Sequence, residues 1–353
     1  MAGSMKAMVC RGPDSYGLED VPVPEILEPG DAIGRVLLTT ISGSDLALVR
    51  GGIPGVRYPL IVGHEFCAEI VETGPAVKKL KVGDRVVVSC FACCGECRYC
   101  RQGLYARCLK AGCGTFGMRG PGGCQAEYAR LPDADAYCFK FPESLSPGDV
   151  LFCGDVLSAG YFAAELARIE PAETVAVVGA GPVGLCAMAS ARLWGPSRII
   201  AVDTSPSRLD AAMKAGVADL ALNPAEANVV EAIRELTDGF GADRTIECAG
   251  RQMTFDIAFS ALRCGGGIST VGIYEKPLLL PLDEAWGTNI TLSWGVAPVD
   301  RLPRLIELIE EGKIDTRFLC THSVPLNEIL KGYELFANRT AGCLKVLITP
   351  WEP

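Results

Sequence analysis

Residues 174–203 read TVAVVGAGPVGLCAMASARLWGPSRIIAVD, and this stretch decides the fold. It begins with a β-branched apolar run, passes through three glycines spaced G-x-G-x-x-G into an Ala/Leu/Met-rich run, and ends on a second apolar run closed by Asp203. A strand, a tight turn, a helix and a second strand that ends on an acid form the βαβ unit of a dinucleotide-binding fold. The stretch therefore predicts a parallel, doubly wound sheet.

Each position of the glycine turn has a predicted task. Gly179 permits a sharp turn, Gly181 lets the backbone approach a pyrophosphate, and Gly184 lets the helix pack closely on the strand. Pro182 and Val183 open the helix, whose N-terminal N–H groups and dipole attract phosphate. The alternative is a glycine-rich turn in some other α/β sheet.

Asp203 follows Gly184 by 19 residues and is predicted to accept hydrogen bonds from the adenosine ribose hydroxyls. A 2′-phosphate beside this carboxylate would be repelled, which favours NAD(H) over NADP. Arg208 lies close in sequence and softens that preference.

The composition places the chain among globular proteins that bury large cores. It has 353 residues, 49% of them hydrophobic and 21% charged, with a net charge of −9. This balance, with no Lys/Arg block and no 18-residue apolar run, excludes nucleic acid and membrane as main partners. Seventeen cysteines without an export signal predict thiols and metal sites in a reducing cytoplasm. Residues 1–4 are interpreted as an expression leader.

The hydrophobic pattern changes near Pro147. Before it, short apolar runs between Gly and Pro predict a β-rich barrel or sandwich, with strands at 33–40, 66–72, 85–89 and 127–131. After it, strands at 220–222, 244–248 and 267–272 alternate with helices at 205–215, 225–237 and 252–263. A tail with strands at 290–294 and 343–349 and helices at 301–311 and 327–337 is expected to return to the first domain.

Residues 94–108 read CGECRYCRQGLYARC, a four-cysteine lobe. Cys94, Cys97, Cys100 and Cys108 are spaced to surround one Zn²⁺, and a closed four-sulfur shell indicates a structural ion. An iron–sulfur cluster is the alternative metal group. Four other cysteines nearby lack the spacing and are interpreted as spectators: Cys90, Cys93, Cys113 and Cys124.

One of only two histidines stands in a recognisable setting, Gly63-His64-Glu65. With the four-cysteine lobe, the segment Gly83-Asp84-Arg85-Val86 and the glycine turn, all in family order, the chain resembles the zinc-dependent medium-chain alcohol dehydrogenases over residues 5–350. The resemblance implies a GroES-like β-rich catalytic domain at 5–153 and 290–353, and a Rossmann domain that binds NAD at 154–289. It also implies a catalytic zinc bound by His64.

The other catalytic ligands also come from the resemblance. Residues 153–161 are similar to the third-ligand segment of the bacterial secondary-alcohol and formaldehyde dehydrogenase branch, which makes Asp155 the expected ligand and Cys153 the alternative. The first ligand departs from the family, because Ser42 stands where the motif has a zinc-binding Cys, and a neutral hydroxyl is a much poorer ligand than a thiolate. Three explanations stay open: an engineered change, a natural site completed by Glu65 or water, or a lost catalytic metal.

Around this metal, the resemblance implies that Asp45 orients His64. Ser44 would contact the substrate hydroxyl and start a proton relay, which lacks the usual His because Ala47 occupies that position. Lys345 matches a position that contacts the pyrophosphate, with a surface lysine on an edge strand as the alternative. Pocket walls are expected near Phe91, Phe116 and Trp294.

The predicted reaction is oxidation of a secondary or small primary alcohol by NAD⁺, or its reverse, at a zinc centre in a cleft between the domains. Polyol, sugar or amino-alcohol substrates are the alternative, as is a metal-depleted chain that binds the cofactor with little turnover. The expected partners are a small alcohol or carbonyl compound and a second copy of the chain, as a homodimer or homotetramer.

Overall fold

The computed structural model describes residues 3–351, so the first two and last two residues, including half of the predicted leader, lie outside that range. The chain divides into two compact units. The first unit comprises the residues up to Ser158, Pro298–Gly312 and the residues from Leu319 onward; the second comprises Ala159–Ala297 and Lys313–Phe318.

Strands account for most of the regular structure in the first unit and for the central layer of the second. The strands of residues 3–351 are β1 (Ser4–Gly12), β2 (Ser15–Pro22), β3 (Ala32–Thr40), β4 (Leu60–Ile61), β5 (Phe66–Thr73), β6 (Arg85–Val88), β7 (Phe91–Ala92), β8 (Gly114–Thr115), β9 (Tyr128–Leu131), β10 (Cys138–Lys140), β11 (Thr174–Val178), β12 (Arg198–Val202), β13 (Leu220–Leu222), β14 (Ala242–Glu247), β15 (Leu262–Thr270), β16 (Thr291–Trp294), β17 (Cys320–Pro325) and β18 (Lys345–Thr349).

The helices are mostly short, and several continue into 3₁₀ turns. They are α1 (Gly43–Val49), α2 (Pro147–Val150), α3 (Val156–Ala167), α4 (Pro182–Ala191), α5 (Pro206–Lys214), α6 (Val229–Glu235), α7 (Gln252–Ser260), α8 (Leu282–Ala285), α9 (Leu302–Glu310) and α10 (Ile329–Ala337). No single one of them is long and apolar enough to cross a membrane; one pair, Pro147–Gly154 and Val156–Ala167, passes that test only together and is bent by 56°.

The second unit is built on a six-stranded sheet in the order β13-β12-β11-β14-β15-β16. Every neighbouring pair in it is parallel. Its central strand β11 is buried at all five positions, as expected for a parallel strand covered by helices on both faces. The doubly wound Rossmann sheet predicted from residues 174–203 is therefore confirmed, and β11, β12 and β13 have the predicted bounds.

The tail returns to the first unit, as expected, but at Pro298 and not at residue 290. Strand β16 pairs with β15 from Gly267↔Thr291 to Thr270↔Trp294, so it forms the edge of the Rossmann sheet. The segment Lys313–Phe318 also belongs to the second unit. The boundary is displaced because an open sheet accepts another strand wherever an edge offers unpaired backbone groups.

The first unit contains a seven-stranded sheet in which β10, β6, β5, β3, β18 and β17 lie in that order and β9 also pairs with β3. A three-stranded sheet, β2-β1-β4, and the small pair β7-β8 complete the β structure. The pairs of β3 with β5, β9 and β18 are antiparallel. Strand β18 is thus bonded on both sides, which places residues from the end of the chain in the middle of the sheet.

Candidate active site

His64 lies between two carboxylates in the first unit. Its Nδ1 atom is 3.1 Å from Oδ1 of Asp45, and its Nε2 atom is 3.3 Å from Oδ2 of Asp155. The Nε2 atom is also 3.3 Å from Oγ of Ser44. The imidazole is only 3% exposed, so these three polar groups replace water around it. The structure therefore brings together the predicted ligands His64 and Asp155 with the predicted Ser44 and Asp45.

Asp45 is positioned by the start of helix α1. Its Oδ2 atom accepts the backbone N–H of Ser42 at 2.8 Å, as an acid three residues after a helix N-cap does, and the amide of Gln125 at 3.1 Å. The Gln125 carbonyl in turn accepts the hydroxyl of Tyr333 at 2.8 Å. One carboxylate thus caps the helix and orients His64, and it is anchored to the buried core.

Ser42 is the N-cap residue of helix α1, with extended backbone angles (φ −116°, ψ 161°). Serine is among the residues most favoured at this position. Its Oγ atom lies 3.2 Å from Oγ of Ser44. Ser42 therefore fits the backbone, but as a metal ligand it offers only a hydroxyl.

Glu65 is engaged on both oxygens. Oε2 is 2.5 Å from Nζ of Lys345, and Oε1 accepts the backbone N–H of Val156 at 3.2 Å. Glu65 and Lys345 are each only 1% exposed at the side chain. The alternative reading of Lys345 as a surface lysine on an edge strand is wrong, because β18 lies inside the sheet. Contact of Lys345 with a pyrophosphate stays a prediction.

Asp155 follows a 3₁₀ turn, Leu151–Gly154, and its side chain is 24% exposed. Near it lies Cys90, whose thiol and the Asp155 carboxylate influence each other's pKa. The backbone N–H of Cys90 donates to the carbonyl of Gly154 at 2.9 Å, which fixes this neighbourhood. The alternative ligand Cys153 is fully buried, and burial raises the pKa of its thiol, as it does that of Cys90, above the usual thiol range.

The ionisable side chains around His64 shift one another's pKa values. Burial alone would lower the pKa of His64, but Asp45 and Asp155 outweigh it and raise that pKa well above the ordinary value. Burial alone would raise the pKa of Asp155, yet the hydrogen bond from His64 lowers it. Burial raises the pKa of Glu65 to about 7, against the opposing effect of Lys345.

The four cysteines of residues 94–108 converge. Their sulfur atoms all lie within 4.8 Å of one another, and within residues 3–351 theirs is the one group of at least three His, Cys, Asp or Glu side chains that does so. The separations Cys97–Cys100 and Cys94–Cys108 are each 3.5 Å. Backbone hydrogen bonds, chiefly at Cys100, lower the pKa of Cys97 to about 6, which favours a thiolate. This donor set fits a tetrahedral zinc ion.

The glycine turn of the second unit has the geometry of a dinucleotide cradle. Gly179 has φ +98°, and a Cβ on Gly184 would lie 1.7 Å from the Gly179 carbonyl oxygen. Gly181 precedes Pro182 at the N-terminus of α4, and a Cβ there would meet nothing of the protein nearer than Arg208 at 3.7 Å. Gly184 is thus required by helix–strand packing, whereas Gly181 leaves open space for a ligand.

Asp203 is held beside this turn. Its oxygens accept the backbone N–H groups of Ala180 and Ser205, each at 2.8 Å, and Arg208 lies 3.7 Å away. The turn, the acid and the arginine therefore form one cluster, as the sequence predicts for a ribose site.

Sequence analysis missed the proximity of Cys90 to Asp155 and the pairing of Lys345 with Glu65. Cys90 was taken for a spectator because its spacing fits no cysteine motif, and no local signal connects it to Asp155. The sequence did contain a signal for the pairing of Lys345. A lysine directly before the apolar residues of β18 is expected to be buried there only if it has a partner. Phe116, expected in the pocket wall, instead packs in the core against Phe66 and Tyr137.

Comparison with known proteins matches both halves of the chain to known families. Residues 28–143 match the alcohol dehydrogenase GroES-like domain, and residues 182–311 match the zinc-binding dehydrogenase family. An alcohol dehydrogenase of Cupriavidus necator is 38% identical over 99% of this chain and 100% of its own. Among solved structures, the alcohol dehydrogenase TADH from Thermus sp. ATN1 has a TM-score of 0.91 at 34% identity, covering 98% of this chain and 99% of its own. The zinc-dependent alcohol dehydrogenase 2 from Streptococcus pneumonia, in its apo form, has the same TM-score at 35% identity, covering 99% of both chains.

Proposed function

Because this chain belongs to the zinc-dependent medium-chain alcohol dehydrogenase family and is an oxidoreductase that acts on alcohols, we propose that it oxidises a secondary or small primary alcohol with NAD⁺, or reduces the carbonyl compound with NADH. The observation that carries the proposal is the position of His64. Its Nδ1 atom is held by Asp45, while its Nε2 atom faces Ser44 and Asp155.

The proposed catalytic zinc would be held by His64 and Asp155. When bound, zinc polarises the alcohol oxygen, and the nicotinamide ring of NAD⁺ accepts the hydride. A metal ligand needs a neutral imidazole with a free Nε2 lone pair, and Asp45 supplies this by keeping the proton on Nδ1. Glu65 would take no part in this set, because its two oxygens are engaged by Lys345 and by the backbone N–H of Val156.

Ser44 is the proposed first proton acceptor for the substrate hydroxyl. Its Oγ atom is within hydrogen-bonding distance of both His64 Nε2 and Ser42 Oγ. A substrate hydroxyl that replaces one of these contacts can pass its proton to Ser44. As Ser44 accepts this proton it releases its own, and since Ala47 has no titratable side chain, the released proton leaves to water or another group.

The proposal for NAD(H) over NADP(H) is supported by Asp203. Its carboxylate is fixed by two backbone N–H groups next to the glycine turn, so it cannot swing aside from an added phosphate. Two ribose hydroxyls can donate to this acid, whereas a 2′-phosphate would place negative charge beside it. Arg208 at 3.7 Å reduces this repulsion without removing it.

A substrate screen tests the proposal. Purified protein is supplied with NAD⁺ and a panel of primary alcohols, secondary alcohols, polyols and amino alcohols, with and without added Zn²⁺, and NADH formation is followed by absorbance. We expect the highest kcat/KM for a secondary or small primary alcohol and loss of turnover in His64→Ala. Turnover that survives in His64→Ala and in chelator-treated protein would remove the metal mechanism, and a best substrate among the polyols or amino alcohols would replace the substrate class.

A further inference from the structure

We propose that Cys90 supplies the thiolate that position 42 lacks, so that the catalytic metal is held by His64, Asp155 and Cys90. The inference rests on the proposed function, because it assigns a ligand to the metal on which that function depends.

The first step is that the other donors near His64 are unsuitable. Ser42 offers a neutral hydroxyl, which binds zinc far less well than a thiolate does. Both oxygens of Glu65 are engaged, one by the ammonium of Lys345 and the other by the backbone N–H of Val156. His64 and Asp155 alone provide two ligands, whereas catalytic zinc sites in proteins have three protein ligands.

The second step is the position of Cys90. Both backbone polar groups of Cys90 are hydrogen-bonded. The N–H donates to the Gly154 carbonyl at 2.9 Å, and the carbonyl accepts the N–H of Phe116 at 3.1 Å. Its thiol and the carboxylate of Asp155 influence each other's pKa, and the residue is only 5% exposed. The sulfur atom is therefore already a neighbour of one proposed ligand, on a fixed backbone.

The third step is charge. Asp45, Glu65 and Asp155 place three carboxylates around His64, and Lys345 is the one lysine among them. Since Lys345 offsets Glu65, Asp45 and Asp155 are the two carboxylates that a divalent cation would offset when the imidazole is neutral. Cys90 Sγ, His64 and Asp155 do not yet meet the 4.8 Å spacing that the four lobe cysteines meet, so the side chains must close around the ion. The thiol proton leaves to water as the sulfur–metal bond forms.

The other buried cysteines of this region have different partners. The sulfur of Cys67 faces the carbonyl of Pro147 at 3.6 Å, and that of Cys124 lies 3.2 Å from Oγ1 of Thr39. Cys138, on β10, is as buried as Cys90, at 5% exposure. Cys138 therefore provides a matched control for loss of a buried thiol.

The experiment measures metal content and affinity in wild type, Cys90→Ser, Cys138→Ser and His64→Ala. Proteins are saturated with Zn²⁺, freed of excess metal and analysed for zinc per chain by mass spectrometry, with chelator competition giving the affinity of the weaker site. Wild type and Cys138→Ser are expected to retain about two zinc ions, and Cys90→Ser about one. Cys90→Ser should lower the zinc affinity of the weaker site by more than about 10–100-fold, which is the loss when a residue that only hydrogen-bonds to a metal ligand is removed. The retained lobe zinc shows that the variant is folded.

Two further measurements identify the ligand. With Co²⁺ in place of Zn²⁺, Cys90→Ser should lose part of the near-ultraviolet sulfur-to-metal charge-transfer absorption, whereas Cys138→Ser should keep all of it. The double variant Ser42→Cys/Cys90→Ser should regain the second zinc, because it restores a thiolate beside His64.

The outcomes separate the two proposals. If Cys90→Ser binds the second zinc within tenfold of wild type while His64→Ala loses it, the assignment of Cys90 is overturned and the metal centre stands. If wild type takes up only about one zinc per chain at saturation, the proposed zinc chemistry fails together with the assignment.

Discussion

The ammonium of Lys345 lies 2.5 Å from a carboxylate oxygen of Glu65, and each side chain is 1% exposed. The two residues are 280 positions apart in the chain, and the pair joins the last strand of the first unit to the segment that carries His64. A buried pair of this kind contributes little net stability as a pair, but removal of one partner leaves an uncompensated charge.

Lys345→Met is therefore expected to destabilise the protein by about 3–5 kcal/mol, because Glu65 would remain buried without its cation. Urea or guanidinium denaturation of the first unit measures the loss. Lys345→Met/Glu65→Gln should regain most of it. As a control, Lys331→Met breaks the exposed pair with Glu328 and should cost less than about 1 kcal/mol. Equal losses in the single and double variants would show that packing, not charge, holds Lys345.

The glycine turn allows two functions of glycine to be separated. Gly184→Ala would place a methyl group 1.7 Å from the backbone oxygen of Gly179, so we expect destabilisation of about 1–3 kcal/mol or more. Gly181→Ala meets no protein atom closer than 3.7 Å and should leave stability near wild type. It should instead weaken NADH binding, because the added methyl group occupies the space left for a ligand. Thermal unfolding and NADH fluorescence titration measure the two effects; unchanged NADH affinity in a stable Gly181→Ala would contradict the assignment.

Cofactor preference depends on the charge of Asp203. Asp203→Asn keeps an acceptor oxygen for the backbone N–H of Ala180 but removes the negative charge. We expect the ratio of kcat/KM for NADP to that for NAD to rise about tenfold to a hundredfold, the scale of one charged hydrogen bond. Asp203→Asn/Arg208→Leu should lose much of this gain. Asp210→Asn, an exposed position on α5, serves as a control, and an unchanged ratio in Asp203→Asn would remove Asp203 from the ribose site.

Local patterns made the second unit predictable, because the signal for its fold lies within short segments. Residues 174–203 contain the strand, turn, helix and acid in one continuous stretch, and β11, β12 and β13 have the expected bounds. In contrast, sheet membership depends on backbone pairing between distant segments. The sequence of β16 shows a strand but does not show that its partner is β15.

Residues of the candidate site could be predicted only where they belong to a recognisable sequence motif. His64, Asp45, Ser44 and Asp155 were found through family motifs, and the structure places their side chains in contact. The neighbourhood of Cys90 and Asp155 arises because β6 leads the chain past Gly154, which no local spacing records. Tertiary contacts of this kind decide whether a cysteine is a spectator or a neighbour of the site.

Protons and metal should compete for His64 in chelator-treated protein. Asp45 and Asp155 raise the pKa of His64 well above its ordinary value despite burial, so the folded metal-free protein keeps a proton there to a higher pH than a free histidine does. A raised folded-state pKa contributes stability that is fully present below the unfolded value of about 6.5 and is lost as the pH rises through the folded value. Zinc needs the neutral imidazole, so its affinity for this site should rise about tenfold per pH unit for each proton displaced, and the contribution of His64 to this rise should end when the pH passes its folded pKa.

Zinc titration against a competing chelator at a series of pH values measures this dependence. In Asp45→Asn one of the two carboxylates that raise the pKa of His64 becomes neutral, so the rise in affinity should end at a lower pH than in wild type. The thermal stability of the metal-free protein should fall over the same pH range, whereas His64→Gln, which has no proton to lose there, should show a flatter profile. If zinc affinity is independent of pH in wild type, His64 is already neutral in the metal-free protein, and the two carboxylates do not control its protonation.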